Sequence, residues 1–273
     1  MSTLTAHHQP NPNVPKRPAA SALSEGATKT NAFRSYRLML IWQLRRQSQY
    51  LPLLIVVQSA LAVATVIGYG MLIGDVAPAA ALFLATGAPT ITLVSVGFVM
   101  TPQMMSQSKT EGSADWMNTL PVPRLVFLAA DLTVWTFIAL PGVVLAIVAG
   151  VWRYDLELSV AWWIVPASLL ISLTAASIGY AMAALLPPMV AMLLTQLLIF
   201  ILLLFSPISF PASNLPAWLQ TVHEWLPIQP MADLMRAGLA QDAFSISTGA
   251  VITLIVWCAA SVAAAGWALS RRR

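Results

Sequence analysis

The sequence predicts an all-α integral membrane protein with six transmembrane helices, and composition and charge distribution are the two observations behind this prediction. Of the 273 residues, 58% are hydrophobic and 9% are charged, whereas soluble domains carry about 45–50% apolar and about 25% charged residues. Lys and Arg are absent between Arg46 and Lys109, and again between Arg153 and Arg236. A chain of this kind cannot cover its surface with polar groups, which excludes a cytosolic enzyme or a disordered protein.

Six apolar stretches are each long enough to cross a bilayer core of about 30 Å as a helix, which takes about 20 residues. They are residues 51–73, 79–101, 125–151, 160–186, 189–206 and 246–269. Pro89, Pro141 and Pro166 fall inside these stretches and predict kinks or shifts in the helices. Pro187 and Pro188 predict a tight connection between the fourth and fifth spans.

The orientation of the spans is predicted by the Lys and Arg residues, because loops rich in them stay on the cytoplasmic side. If the amino terminus is cytoplasmic, 12 of the 14 basic residues lie on that side and only Arg153 and Arg236 lie outside. We therefore expect a multi-pass protein of the cell membrane with both termini in the cytoplasm.

The chain before the first span divides into two parts. Residues 1–30 are polar and rich in proline, which predicts a disordered cytoplasmic tail. From residue 31 a short amphipathic helix is expected to lie in the membrane interface, with its apolar and basic side chains on largely separate faces. The residues concerned are Phe33, Tyr36, Leu40 and Leu44 on the apolar face, and Arg34, Arg37 and Arg45 on the basic one. The alternative is a simple basic flank that fixes the topology. Residues 31–270 then form one transmembrane domain, followed by a basic cytoplasmic end at 271–273.

The cytoplasmic loop 103–124 is expected to contain a short helix. Ser113 can cap it and Asp115 can lie in its first turn, where a negative charge suits the helix dipole, before Pro121 and Pro123 end it. Apolar residues such as Trp116 and Leu120 would then face a soluble partner or, alternatively, the membrane surface.

The outer stretch 206–244 is too long for a turn and too apolar for a solvated loop. Apolar residues recur in it at helical spacing and five prolines interrupt them. Two short helices that dip into the outer leaflet and line a vestibule fit this pattern best, because irregular backbone at membrane depth needs protein or water beside it. An aromatic belt lying flat in the interface is the alternative.

Two motifs carry a resemblance to a known family. The outer motif consists of Phe210, Pro211, Asn214, Leu215, Pro216, Trp218, Leu219, Pro227 and Arg236, and the cytoplasmic motif of Glu111, Gly112, Leu120, Pro121 and Arg124. In their order and topology the chain resembles permease subunits of ATP-binding-cassette exporters of the second type (ABC-2), over about residues 31–270. In that family several charged residues usually precede the Glu-Gly element. Here the residues at 108–110 include a single charged one, Lys109.

The resemblance implies partners and roles for residues. Two permeases, identical or paralogous, would sit on two ATP-binding subunits that hold ATP and Mg²⁺. The loop would be a coupling helix, and the outer helices would be a re-entrant gate. The coupling residues would be Glu111, Gly112, Asp115, Trp116, Leu120 and Arg124, and the gate residues Pro211, Asn214, Pro216, Trp218, Leu219 and Arg236. The sequence contains no G-x-x-x-x-G-K-[ST], so ATP hydrolysis is expected on another polypeptide and no cofactor is expected on this one.

Catalytic and metal-binding functions find little support. His223 and Glu224 lack the second histidine of a zinc-protease motif, and Cys258 is the single cysteine. The basic residues sort by membrane side, so nucleic acid is not expected as a partner. The serious alternative is an ion-coupled secondary transporter, for which Asp131 is the sole acidic candidate within the spans. Asp131 lies about 10 Å along the third span from Arg124, near the cytoplasmic interface rather than at the bilayer centre. A structural role is therefore favoured over a role in transport.

The transport path is expected at polar and aromatic positions of the spans. We assign Gln58, Thr90, Gln196 and Phe200 to it, since the resemblance implies that the first and fifth spans lie near the permease interface. Contacts between helices are the alternative role for such residues. The uncharged apolar walls favour a hydrophobic or amphipathic substrate such as a drug, antibiotic or lipid, and a polysaccharide or glycolipid exporter would share the same six spans.

Overall fold

The computed structural model describes residues 32–73, 77–112 and 123–271, and the regular elements in this part of the chain are helical. Ten α-helices follow one another in it. They are α1 (Ala32–Gln47), α2 (Leu51–Ile73), α3 (Pro78–Ser95), α4 (Thr101–Thr110), α5 (Arg124–Tyr154), α6 (Ile164–Leu185), α7 (Pro188–Phe205), α8 (Ala217–Trp225), α9 (Ile228–Leu239) and α10 (Thr248–Arg271). A π-helix at Val96–Met100 joins α3 to α4, and a short 3₁₀-helix occupies Ala212–Asn214.

Six of the described helices are long and apolar enough to cross a membrane, which confirms the number of spans predicted from the sequence. Five are α2, α5, α6, α7 and α10. The other is a continuous helix, Pro78–Thr110, that includes α3, the π-helix and α4. The spans alternate in direction, so the bundle has one end that carries α1 and the end of α4, and another that carries α8 and α9. We call these the α1 end and the α9 end.

The helix Pro78–Thr110 lies at the centre of the bundle. It packs against α2, α5, α6, α7 and α9, and most of its residues are buried. The core around it is built of large apolar side chains that are fully buried, such as Leu93, Ile171, Tyr180 and Met235. In contrast, most side chains of α2, α7 and α10 are half-buried or exposed. These three helices therefore present the surfaces that lipid or a second protein would cover.

The π-helix has an identifiable cause in Pro102. Proline has no N–H to donate and its ring clashes with the carbonyl four residues earlier, so an ordinary α-turn cannot run through this position without loss. The chain instead makes a wider turn in which both the N–H and the hydroxyl of Thr101 are directed to the carbonyl of Val96.

The central helix crosses α6 at small residues. A Cβ on Gly97 would lie 2.4 Å from the backbone of Ala175, and a Cβ on Gly179 would lie 2.0 Å from the carbonyl oxygen of Gly97. The two backbones therefore touch, as GxxxG-type contacts between membrane helices do. Ala175 and Gly179, four positions apart on α6, thus form a close contact with the central helix.

Two boundaries differ from the sequence predictions. Residues 103–110, which we assigned to a loop, continue the central helix because the π-turn lets the helix pass Pro102. The fourth span begins at Ile164 rather than at residue 160, so Pro166 lies in the first turn of α6, where its missing N–H costs nothing. The kink predicted there was therefore wrong. Pro89 and Pro141 do lie inside α3 and α5.

Candidate functional site

The α9 end is formed by two short helices in the stretch between the fifth and sixth spans, as the sequence predicted. Pro216 precedes α8 and Pro227 precedes α9, so each helix begins where the missing proline N–H costs nothing. Nearly all of α9 is buried against α3, α6 and α10. The insertion of these helices into a membrane leaflet remains a prediction.

Arg236 is the central polar residue of the α9 end and only 2% of it is exposed. Its guanidinium donates to Asp233 Oδ1 at 3.1 Å, to the carbonyl of Pro207 at 3.0 Å and to the carbonyl of Ile208. It also lies 3.6 Å from the ring centre of Phe83 on α3. Arg236 therefore ties α9 to the chain that leaves α7 and to the central helix.

The electrostatics of this network follow from burial. Burial lowers the pKa of Arg236 to about 10, with Asp233 opposing the shift, so the guanidinium stays charged at neutral pH. Burial likewise raises the pKa of Asp233 above its usual value, and Arg236 again opposes the shift. The buried charge is retained because hydrogen bonds from Nη1 and Nη2 replace part of those it would make with water, while Nε is buried without a partner.

Gly87 allows the network to form. A Cβ at this position would lie 2.2 Å from the carbonyl oxygen of Ile208, the same oxygen that accepts from Arg236. Only a glycine permits such an approach of a helix backbone to a carbonyl without displacement. The central helix and the α9 end thus meet by backbone contact.

The structure separates the predicted gate residues into two groups. Pro211, Asn214, Pro216 and Trp218 are exposed, whereas Leu219 is half-buried and Arg236 is buried deep in the core. The prediction from sequence did not place Arg236 inside the protein, since its partners Pro207 and Ile208 lie far along the chain.

Four exposed tryptophans lie on the same end of the bundle: Trp152, Trp162, Trp218 and Trp225. Exposed tryptophans at one level are typical of a membrane interface.

An apolar cavity of about 310 Å³ lies beneath α8. Phe98 of the π-helix, Phe205 of α7 and Leu219 of α8 are among the side chains that line it. His223 also lines it, with Nε2 at 3.0 Å from the carbonyl oxygen of Phe205 and Nδ1 buried without a partner. Burial lowers the pKa of His223, and the hydrogen bond to Phe205 opposes the shift. The imidazole is therefore neutral at pH 7.

The four predicted path residues do not share one surface. Gln58 and Thr90 are fully buried inside the bundle, where the amide of Gln58 donates to Met100 Sδ at 3.2 Å. Gln196 and Phe200 lie on the exposed face of α7. Gln58 belongs to the contact between α2, the π-helix and α5, while Gln196 is accessible to a ligand or to a second chain.

At the α1 end, the central helix ends at the predicted coupling motif. Glu111 caps α4, and its carboxylate accepts from Gln107 Nε2 at 2.8 Å. Gly112 follows in a left-handed conformation with φ of 74°, which favours glycine. Lys109 donates to the carbonyls of Ala183 and Leu186, which couples the end of α4 to the end of α6. Asp115, Trp116 and Leu120 lie outside the described residues, as does the side chain of Arg124.

The predicted interfacial helix is present as α1. Phe33, Arg34, Arg37 and Arg45 are exposed, and Leu40 is half-buried. The packed face was not foreseen, because it consists of Ser35, Met39 and Gln43, which are buried against α5. The hydroxyl of Tyr36 lies 2.9 Å from that of Thr133 on α5. The helix therefore belongs to the bundle, while its insertion in the membrane interface remains a prediction.

Asp131 lies on the wall of a second cavity, of about 320 Å³, enclosed by α1, α4 and α5. The sequence singled out Asp131 but gave no sign of this cavity, because its other walls are far away along the chain. Gln43 of α1 and Met105 of α4 are among them.

The comparison with known families gives a match over most of the chain. The profile of ABC-2 type transporters matches residues 34–240, from the first turn of α1 to the residue after α9. The chain belongs to the ABC-2 type transporter family. No curated protein matches it.

Membership of the ABC-2 type transporter family makes the chain an ABC transporter permease and an integral membrane protein, in agreement with its six apolar helices. Within the described ranges, no group of three or more His, Cys, Asp or Glu side chains could hold a metal ion. The matched region includes the central helix and both ends of the bundle.

Proposed function

We propose that this permease is the membrane-spanning subunit of an ATP-driven exporter for hydrophobic or amphipathic compounds, such as drugs, antibiotics or lipids. ATP and Mg²⁺ bind two copies of a separate ATP-binding subunit. A second permease, identical or paralogous, completes the translocation path. In this arrangement the α1 end faces the cytoplasm of the cell and the α9 end faces outwards, as the distribution of Lys and Arg predicts.

The observation that carries the proposal is the central helix. Pro78–Thr110 is 33 residues long, or about 50 Å at 1.5 Å per residue. One end of it carries Glu111 and Gly112, and nearer the other end Gly87 touches the carbonyl that Arg236 holds. A displacement at the α1 end can therefore reach the α9 end through one helix, which is the requirement for coupling ATP hydrolysis to a gate.

The described part of the coupling motif favours a fixed geometry. Lys109 holds the end of α4 on the last carbonyls of α6, and the left-handed Gly112 sets the direction in which the chain leaves. A subunit that pushes on the residues after Gly112 would therefore move α4 and α6 together.

The exposed face of α7 supports a path between two permeases. Leu193, Gln196, Leu197 and Phe200 are exposed there although α7 is among the most apolar helices. A second permease facing this surface would enclose an apolar space with a few amide groups, which suits a lipophilic substrate better than an ion, since apolar walls cannot replace an ion's hydration.

The proposal is tested by isolating the complex. The tagged permease is purified from its own host in mild detergent, the ATP-binding subunit that accompanies it is identified, and both are reconstituted in liposomes. We expect ATP hydrolysis by the complex and none by the permease alone, with ATP-dependent movement of a lipophilic dye. Dye movement driven by a proton gradient through the permease alone would instead establish the secondary-transporter alternative.

The coupling assignment is tested by Glu111→Ala and Gly112→Ala, since the first removes the charge and the side-chain hydrogen bond with Gln107 at the end of α4 and the second strains the backbone by about 1 kcal/mol. We expect weaker co-purification of the ATP-binding subunit, measured as its molar ratio to permease. Glu157→Ala, an exposed carboxylate at the α9 end, is the matched control. The assignment would be contradicted if the molar ratio of ATP-binding subunit to permease were the same in Glu111→Ala and Gly112→Ala as in Glu157→Ala.

A further inference from the structure

The cavity at the α1 end has features that neither packing nor coupling explains. It is enclosed by three helices: α1 supplies Gln43 and Arg46, α4 supplies Met104 and Met105, and α5 supplies Asp131. Its volume of about 320 Å³ is large enough for a small molecule or for the head of an amphiphile.

Gln43 points to a ligand. Only 3% of this residue is exposed, yet neither Nε2 nor Oε1 of its amide has a hydrogen-bond partner, and the side chain lines the cavity. Oε1 of Gln47, on the same wall, is likewise buried without a partner. Leaving a buried polar group unsatisfied destabilises the fold. Such a group calls for an explanation, and a bound molecule that supplies the missing partners is one.

The charged groups of the cavity indicate the sign of that molecule. Among the described residues that line it, Asp131 and Glu111 are acidic and Arg46 is basic. Arg46 lies over the ring of Trp42 at 5.5 Å and donates to Ser108 at 3.4 Å. The carboxylate of Asp131 accepts a hydrogen bond from the indole of Trp135, one turn further along α5. The described walls thus carry two carboxyl groups against one guanidinium, which itself attracts Asp131, and this arrangement favours a cation over an anion.

Aromatic rings complete the recognition chemistry. Phe127, Asp131 and Trp135 follow one another at a spacing of four residues on α5, so the carboxylate lies between two rings on one helix face. Tyr50 lines the cavity from the chain just before α2. Aromatic faces around a carboxylate bind alkylammonium groups by cation–π attraction.

Apolar side chains form one part of the cavity wall. Leu54, in the first turn of α2, and Met104 and Met105 of α4 line it together with the polar groups. Since Leu54 and Asp131 both lie near the starts of their spans, the cavity is at the level where headgroups meet acyl chains. A ligand with an ionic head and an alkyl tail fits this arrangement.

We propose that the cavity between α1, α4 and α5 binds the ammonium head of an amphiphile, with Asp131 as the counter-ion and the amide of Gln43 as a hydrogen-bond partner. The ammonium group can belong to phosphatidylethanolamine of the surrounding bilayer or to a cationic amphiphile that the exporter carries. The assignment to the cytoplasmic leaflet rests on the proposed function, whereas the binding chemistry does not.

The test compares two probes of equal chain length, dodecylammonium and uncharged dodecanol, on the purified permease in maltoside micelles. We expect the dissociation constant of dodecylammonium, measured by titration calorimetry, to be at least about 10-fold lower, since one retained ion pair supplies about 1.4 kcal/mol. Asp131→Asn should abolish this preference. Asp242→Asn, a carboxylate that is exposed at the α9 end, should keep it.

Gln43→Leu separates binding from packing. Because it removes an unpartnered amide, we expect an unchanged or higher unfolding temperature without ligand, together with weaker binding of dodecylammonium. Equal affinity of the two probes for the wild type would overturn the proposal. So would wild-type affinity for dodecylammonium in both Asp131→Asn and Gln43→Leu.

The source of the ammonium group is distinguished in nanodiscs. Weaker binding of dodecylammonium in phosphatidylethanolamine than in phosphatidylglycerol discs, with phosphatidylethanolamine retained in native mass spectra, would identify the lipid as the ligand. Equal binding in both discs would identify a mobile amphiphile. Both outcomes support the ammonium site. These measurements use the isolated permease, so the absence of an ATP-binding partner would overturn the proposed exporter and leave the binding result intact.

Discussion

Arg236 at the α9 end and Gln43 at the α1 end are buried to nearly the same extent, but their surroundings are opposite. Arg236 donates to one carboxylate and two carbonyls and faces an aromatic ring. Gln43 has no partner for either atom of its amide. The first arrangement holds three segments of chain together, whereas the second leaves hydrogen bonds available. Between these two residues, the hydrogen bonds of Arg236 serve the architecture, whereas the unpartnered amide of Gln43, on a cavity wall, serves binding in our proposal.

The largest effect is expected from Arg236→Ala. It leaves Asp233 and the carbonyls of Pro207 and Ile208 without their buried donor, which costs about 3–5 kcal/mol. The unfolding temperature in neutral detergent should fall strongly, and Arg236→Lys should recover only part of the loss because a single ammonium cannot reproduce the fork of a guanidinium. Arg153→Ala, at an exposed arginine, should unfold as the wild type does. If Arg236→Ala behaves like Arg153→Ala, the α9 end is not held by this network.

A smaller loss is expected from Gly87→Ala. The added Cβ would lie 2.2 Å from the carbonyl oxygen of Ile208, so the central helix and the α9 end must separate locally, at about 1–3 kcal/mol. The same change at Gly68, where nothing lies within 4 Å, should be neutral or stabilising by up to about 1 kcal/mol, since alanine favours a helix. Thermal unfolding of the two variants measures the difference. Equal unfolding temperatures of Gly87→Ala and Gly68→Ala would show that Gly87 and Ile208 can move apart without loss of stability.

The smallest effect concerns acidification. His223 has a lowered pKa because it is buried, and protonation would place a second N–H at Nδ1 where the protein offers no acceptor. The neutral form therefore stabilises the fold above the ordinary histidine pKa of about 6.5, and this stability is lost as the pH falls below that value. In His223→Gln the unfolding temperature should change less between pH 7.5 and pH 5.5 than in the wild type. An identical pH dependence in both proteins would assign the acid sensitivity to other groups.

The spans were predictable from the sequence because each contains a long apolar run, and two short helices were predicted within residues 206–244, where α8 and α9 follow Pro216 and Pro227. The resemblance assigned a coupling role to Glu111 and Gly112, which stays a prediction, and α4 ends at these residues. The helical nature of residues 103–110 was missed, because a proline normally ends a helix and only the neighbouring π-turn allows the helix to continue past Pro102.

The interior of the site was much less predictable. Gln58 and Gln196 are the same residue type in equally apolar spans, and the sequence placed both in the path, yet one is buried and the other exposed. The packed face of α1 contains Ser35 and Gln43, which no hydrophobic pattern would assign to a buried surface. Such positions are decided by which helix faces which, and that information is spread over segments far apart in the chain.

The wide turn at Val96–Met100 determines how the following part of the central helix is rotated about its axis. It accommodates one residue more than an ordinary turn, so all side chains from Thr101 to Glu111 are rotated by about 100° relative to an uninterrupted helix. Loss of a single amino acid here would leave the length of the span nearly unchanged but would swing Met104 and Met105 away from Asp131. The number of residues in this turn therefore determines which side chains of the central helix face the neighbouring helices.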